Sequence, residues 1–167
     1  MKHPAKKLAL LGLCTAIAMV LAWVESQLPP LTTAVPGIKL GLPNIAIIFI
    51  LYRLGVREAA AVSFVRIVIV SMLFGNIPTF AYSVAGATLS LLGMWLLRRL
   101  DRFSVVGVSV VGAVLHNVGQ ILTAMVLLGT AELGYYLIVL SVTGTLSGIF
   151  VGLCGAFTVN RVWKNKR

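Results

Sequence analysis

Six apolar stretches divide the chain, roughly Leu8 to Val24, Ile38 to Leu54, Ala59 to Phe74, Pro78 to Leu97, Val105 to Leu128 and Tyr135 to Val159. Each comes close to the ~20 residues that cross a hydrocarbon core about 30 Å thick. The second and third are short and borrow flanking residues. Runs such as Ile45-Ala46-Ile47-Ile48-Phe49-Ile50 do not alternate, as the ~10-residue strands of a membrane barrel would. In hydrocarbon, backbone polar groups must be satisfied within each segment. The pattern predicts an all-α integral membrane protein, one six-helix transmembrane domain over residues 1–167.

The polar breaks between these stretches set the orientation. Basic residues fall almost wholly on alternate breaks: Lys2, Lys6 and Lys7 at the N-terminus, Arg53 and Arg57, then Arg98, Arg99 and Arg102, and Arg161, Lys164, Lys166 and Arg167 in the tail. The opposite set carries only Lys39. Cytoplasmic loops are enriched in Lys and Arg, so both termini are expected inside the cell, in a prokaryotic cytoplasmic (inner) membrane.

Composition agrees. The chain is 59% hydrophobic and 11% charged, with mean hydropathy +1.03, whereas about a quarter of a soluble domain is charged. The net charge of +10 does not point to nucleic acid. It is divided among four cytoplasmic edges, where it meets anionic lipid head groups, and no basic tract interleaved with aromatics forms a module. The first stretch follows Met1-Lys2-His3-Pro4-Ala5-Lys6-Lys7 as the core of a secretion leader would. Trp23-Val24-Glu25 offers no small-x-small cleavage site, so a retained first helix is expected. Cys14 and Cys154 lie in separate apolar stretches without a CxxC or His/Cys cluster, so neither metal nor disulfide is expected.

The informative residues are those that lipid should exclude. Arg66 sits near the middle of the third stretch, and an ionised group at that depth faces a cavity or a partner. Glu25, Glu58, Asp101 and Glu132 all belong to helix ends or loops, so the counter-charge is expected to arrive with a ligand. The structural alternative is that Arg66 bonds backbone carbonyls or snorkels. In the fifth stretch, Gly112, His116, Gly119, Gln120 and Thr123 share a helix face, beside Asn117. One interhelical hydrogen bond in lipid is worth ~0.6–2 kcal/mol, which accounts for one such residue better than for three, so a site is favoured over a structural network. Between the first two stretches, Pro29 to Asn44 is broken by prolines and glycines yet apolar, as expected of a lid over the outer mouth or a structural re-entrant turn. Pro43 suits the first turn of the second helix and leaves Asn44 at membrane depth.

Together these residues predict a ligand with a negative group in the outer half of the bundle. Arg66 and Lys39 would hold the charge, and Asn44, His116, Asn117 and Gln120 would read the polar edge. Tyr82, Tyr135 and Tyr136 are expected to form an interfacial belt. Small residues line two helices: Ser141, Gly144, Gly148, Gly152 and Gly155 on the sixth, explained by close internal packing, and Ala9, Gly12 and Ala16 on the first, a candidate docking strip for another membrane protein.

The strings Pro36-Gly37-Ile38-Lys39-Leu40-Gly41-Leu42-Pro43-Asn44, Tyr52-Arg53-Leu54-Gly55 and His116-Asn117-Val118-Gly119-Gln120, with Arg66, resemble the Gx transporter family, which carries the name heptaprenyl diphosphate synthase component I. The resemblance covers nearly the whole chain. That family is similar to the substrate-binding S components of energy-coupling-factor transporters. The resemblance implies a six-helix subunit that binds a vitamin or related micronutrient near the outer face. It also implies docking onto a transmembrane coupling subunit with two ATPases, through small residues on helix one that commonly read AxxxA. This chain has Gly12-x-x-x-Ala16 there instead.

The synthase name conflicts with the chemistry of the chain. Prenyl elongation needs aspartate-rich clusters to hold Mg²⁺ through hard oxygen ligands, and Asp101, among Arg98, Arg99 and Arg102, is the only aspartate. No Walker GxxxxGK[ST] string occurs, so ATP hydrolysis belongs to partners. The expectation is a non-enzymatic binding subunit without a cofactor. The alternatives are a noncatalytic membrane partner of an isoprenoid synthase and a stand-alone carrier, in which His116 would titrate.

Overall fold

The computed structural model describes residues 4–27, 41–75 and 77–164. Lys39 and the rest of the 28–40 segment, together with the basic residues Lys2, Lys166 and Arg167, lie outside the described residues. The described chain is all helical: α1 (Pro4–Gln27), α2 (Asn44–Arg53), α3 (Val56–Phe74), α4 (Ile77–Arg99), α5 (Val105–Leu128) and α6 (Tyr136–Lys164), with a short 3₁₀ turn, Ala131–Tyr135, before α6. Among the described residues no strand occurs.

Local chemistry sets the helix ends. Ser104 caps α5 by accepting a hydrogen bond from the Gly107 amide at 3.1 Å, and Gly129 ends the helix in a left-handed conformation, a common C-terminal stop. Only Leu54 and Gly55 separate α2 from α3. Gly55 has φ 127°, a conformation that a side chain resists, and this allows the two helices to form a tight hairpin. At the start of α2 the amides of Asn44, Ile45 and Ala46 bond the carbonyls of Gly41, Leu42 and Pro43 at 2.9, 3.1 and 3.2 Å. The sequence places the second apolar stretch from residue 38, whereas α2 itself has only 10 residues. At 1.5 Å rise per residue that is about 15 Å, half of a hydrocarbon core.

This short helix lies at the centre. Ile47, Ile48, Ile50 and Leu51 are essentially inaccessible, and α2 packs against α1, α3 and α6. The remaining neighbours run α3 to α4, α4 to α5 and α5 to α6, so α3, α4, α5 and α6 wrap around α2 and α1 lies in the groove between α2 and α3. Glycines permit the closest approaches. A Cβ on Gly119 of α5 would sit 2.8 Å from the Gly86 Cα of α4, and one on Gly148 of α6 would sit 2.7 Å from the Val110 Cα of α5. Carbon atoms ordinarily meet at about 3.5–4.0 Å, so neither site has room for a side chain. The small face of α6 is internal packing. Gly119 of α5 admits the α4 backbone.

Side chains tie the helix ends at one pole. Lys7 at the start of α1 pairs with Glu58 at the start of α3. Arg98 at the end of α4 donates to the carbonyls of Leu51 and, at 3.1 Å, Tyr52, and stacks over the Tyr52 ring at 5.2 Å. The last carbonyls of a helix lack partners within it, and a cation there also suits the helix dipole. Arg53, Arg57, Arg98 and Arg99 therefore gather at one end of the bundle.

The outer surface is apolar. Leu8, Leu13, Val20 and Trp23 on α1, and Ile138, Val142, Leu146, Leu153 and Phe157 on α6, are each more than half exposed, which lipid rather than water accommodates. Among the described residues four stretches are long and apolar enough to cross a membrane: Pro4–Gln27, Ile77–Arg99, Val105–Leu128 and Ala131–Arg161. The chain is a multi-pass helical membrane protein.

Candidate functional site

Where α2, α4, α5 and α6 converge, the packing leaves a small polar cavity. Its walls are Gly41, Asn44 and Ile48 from the start of α2, Ser90 and Met94 from α4, Ser109, Gly112, Ala113, His116 and Asn117 from α5, and Ser147 and Val151 from α6. Its volume is about 30 Å³, room for about one water molecule and far below the ~300–1,000 Å³ of a small-molecule pocket.

Helical spacing explains the wall. Ser109, Gly112, His116 and Asn117 are three or four residues apart on α5 and share one face. Gly112 lets α4 approach so closely that a Cβ there would lie 2.7 Å from the Met94 sulfur and 3.2 Å from the Ser90 hydroxyl. The Asn117 amide nitrogen donates to the Leu140 carbonyl of α6 at 2.7 Å, and the Ser147 hydroxyl donates to the Gly144 carbonyl at 3.1 Å. Asn44 enters because the turn from Gly41 folds beneath it. Gly41 has φ +72°, and a Cβ there would lie 3.1 Å from the Asn44 amide nitrogen.

Of the six residues the sequence nominated for a ligand, the fold brings three to this cavity: Asn44, His116 and Asn117. Gln120 lies one turn further along α5, where its side chain packs at Gly86 of α4. Lys39 lies outside the described residues. Arg66 does not line the cavity.

Arg66 has a carboxylate within electrostatic reach, that of Glu25 in the last turn of α1. α1 continues past Val24 to Gln27, so Glu25 stays inside the fold, 8% exposed, and acts electrostatically on Arg66. Its Oε1 also accepts the Gly41 amide hydrogen. One carboxylate thus touches the turn that leads into α2 and attracts a cation on α3. The Arg66 Nε is buried without a hydrogen-bond partner.

Sequence reasoning missed Glu25 and the serines Ser90, Ser109 and Ser147. Each serine lies three residues from a glycine, Gly93, Gly112 and Gly144 respectively. That spacing marks hydroxyls on the tightly packed inner faces, and it was a usable clue.

On the first helix, Ala9, Gly12 and Ala16 are all exposed, and a Cβ on Gly12 would meet nothing within 4 Å. Tyr135 is 79% exposed, whereas Tyr136 packs against Ile121 and Leu140.

The family model for heptaprenyl diphosphate synthase component I matches residues 14–158. The chain belongs to that family. The match runs from the middle of α1 almost to the end of α6, so the component I family match includes every cavity-lining residue. Neither the curated proteins nor the solved structures contain a significant match to this component I chain.

Proposed function

We propose that this component I chain is the substrate-binding membrane subunit of an energy-coupling-factor-type micronutrient importer, holding a small vitamin-like or precursor molecule among its helices. The observation that carries the reading is the polar cavity, a cluster of amides, hydroxyls and an imidazole inside an otherwise apolar bundle. Groups of that kind are costly in lipid and mark substrate paths. At about 30 Å³ the cavity is too small for such a molecule, so capture requires α2 and its neighbours to part.

In this reading the chain crosses a prokaryotic cytoplasmic membrane six times, with α2 completed by the residues before it. The pole holding Arg53, Arg57, Arg98 and Arg99 faces the cytoplasm by the positive-inside rule, with both termini on that side. ATP hydrolysis belongs to a pair of partner ATPases, reached through a coupling subunit docked on the exposed strip Ala9, Gly12 and Ala16. The chain itself carries no catalysis and no cofactor.

The family description favours a second reading, a noncatalytic membrane partner of a heptaprenyl diphosphate synthase. Purification in mild detergent, with mass spectrometry of the co-purifying proteins, separates the two. A coupling protein with ATPases supports the importer, a soluble prenyl synthase supports the rival, and isolation of the chain alone counts against both.

A further inference from the structure

For so small a cavity to admit a molecule one wall must move, and the contacts single out which. Backbone lies against backbone where Gly119 of α5 meets α4 and where Gly148 of α6 meets α5, so those three helices form a locked frame. In α2, the middle residues Ile47, Ile48, Ile50 and Leu51 are buried. Arg98 holds the far end of that helix through the Leu51 and Tyr52 carbonyls. The near end is different, because Gly41 and Asn44 are themselves cavity wall. There the Asn44 amide bonds the Gly41 carbonyl at 2.9 Å, and the Gly41 amide donates to the Glu25 carboxylate of α1.

We infer that Glu25 is the catch that positions this wall, and that the wall opens when its carboxylate leaves the Gly41 amide for Arg66. The inference rests on the binding-subunit reading above. The second seat is built into the fold. Arg66 on α3 attracts the same carboxylate, α3 packs against α1, and the Arg66 Nε is buried without a hydrogen-bond partner. A buried donor left unmet costs about as much as a hydrogen bond returns. Moving the carboxylate to that donor therefore recovers much of what release of Gly41 loses. Glu25 is only 8% exposed, so its carboxylate chooses between protein donors rather than between protein and water. Two seats of similar energy for one buried group make a bistable element, the kind that switches between states rather than yielding gradually.

The test uses the full-length protein in mild detergent, with Cys14→Ala and Cys154→Ala to remove its own thiols and Ser147→Cys as a probe in the cavity wall. The rate at which a small methanethiosulfonate reagent modifies the probe reads opening, since Ser147 is 9% exposed. Glu25→Ala is expected to raise that rate about tenfold or more, as loss of a hydrogen bond to a charged group requires. Arg66→Met removes the second seat and is expected to lower it; Arg66→Gln takes its place if that variant does not fold. Hydrogen–deuterium exchange at Leu54 and Gly55, beyond the far end of α2, is expected to stay at its wild-type rate in both. Acceleration by both substitutions is plain destabilisation and overturns the inference, as does a probe rate that either one leaves unchanged. The assay needs neither ligand nor partner, so its failure leaves the binding-subunit reading standing, and failure to recover a coupling protein leaves the measured catch standing.

Discussion

The attraction between Glu25 and Arg66 predicts a non-additivity. Glu25→Gln keeps an oxygen to accept the Gly41 amide hydrogen but removes the charge. An electrostatic attraction by itself couples two residues more weakly than the about 3–5 kcal/mol lost when a buried ion pair is broken. Glu25 is only 8% exposed, while Arg66 keeps some exposure along its side chain. Each single substitution, Glu25→Gln or Arg66→Gln, should therefore cost about 1–2 kcal/mol, roughly tenfold in the unfolding equilibrium. The double variant removes both charges, and its cost should fall short of the sum by about 1 kcal/mol. Reversible unfolding of the four proteins in mixed micelles, followed by tryptophan fluorescence, measures the cycle. Additivity within about 0.5 kcal/mol would refute the coupling and return Arg66 to a ligand or to the interface.

Two further outcomes follow from particular contacts. Arg98→Gln removes the charged donors that hold the Leu51 and Tyr52 carbonyls, bonds worth about 1.5–3 kcal/mol to an ionised group. Amide exchange at Leu54 and Gly55, whose N–H groups bond the Ile50 carbonyl, should accelerate by at least tenfold in hydrogen–deuterium exchange, and unchanged protection would mean that α2 is not capped from α4. Gly12→Leu points into open space, so the isolated subunit should keep its melting temperature while recovery of a coupling partner falls; loss of stability in the isolated chain would place that face inside the fold.

Much of the bundle was legible because lipid imposes a simple rule on composition. α5 runs over the residues that hydropathy marks, Val105 to Leu128, with Ser104 and Gly129 as readable punctuation. α2 was less legible. Its apolar run begins at Ile38, but Gly41 and Pro43 delay the helix to Asn44, and hydropathy does not distinguish a helix from an apolar turn. The polar trio Asn44, His116 and Asn117 could be found from residue type alone. The influence of Glu25 could not, because the cation it attracts lies 41 positions away in sequence and the two come near each other only once α1 lies against α3. Gln120 shares a helix face with His116 in the pattern, yet one turn along α5 that face meets Gly86 rather than the cavity.

The brevity of α2 has a consequence for how the chain enters a membrane during synthesis. Ten helical residues make a poor stop for an insertion machinery that weighs about 20 apolar residues at a time. The next helix, α3, is burdened by Arg66, a residue type that adds ~2.5–3.5 kcal/mol at the centre of a lone segment. Neither partitions well alone, whereas α2 and α3 bury surface against each other and against α1 once the three are together. On the six-span reading the amino-terminal half is therefore expected to enter lipid as a packet of three, while α4, α5 and α6 are apolar enough to follow one by one.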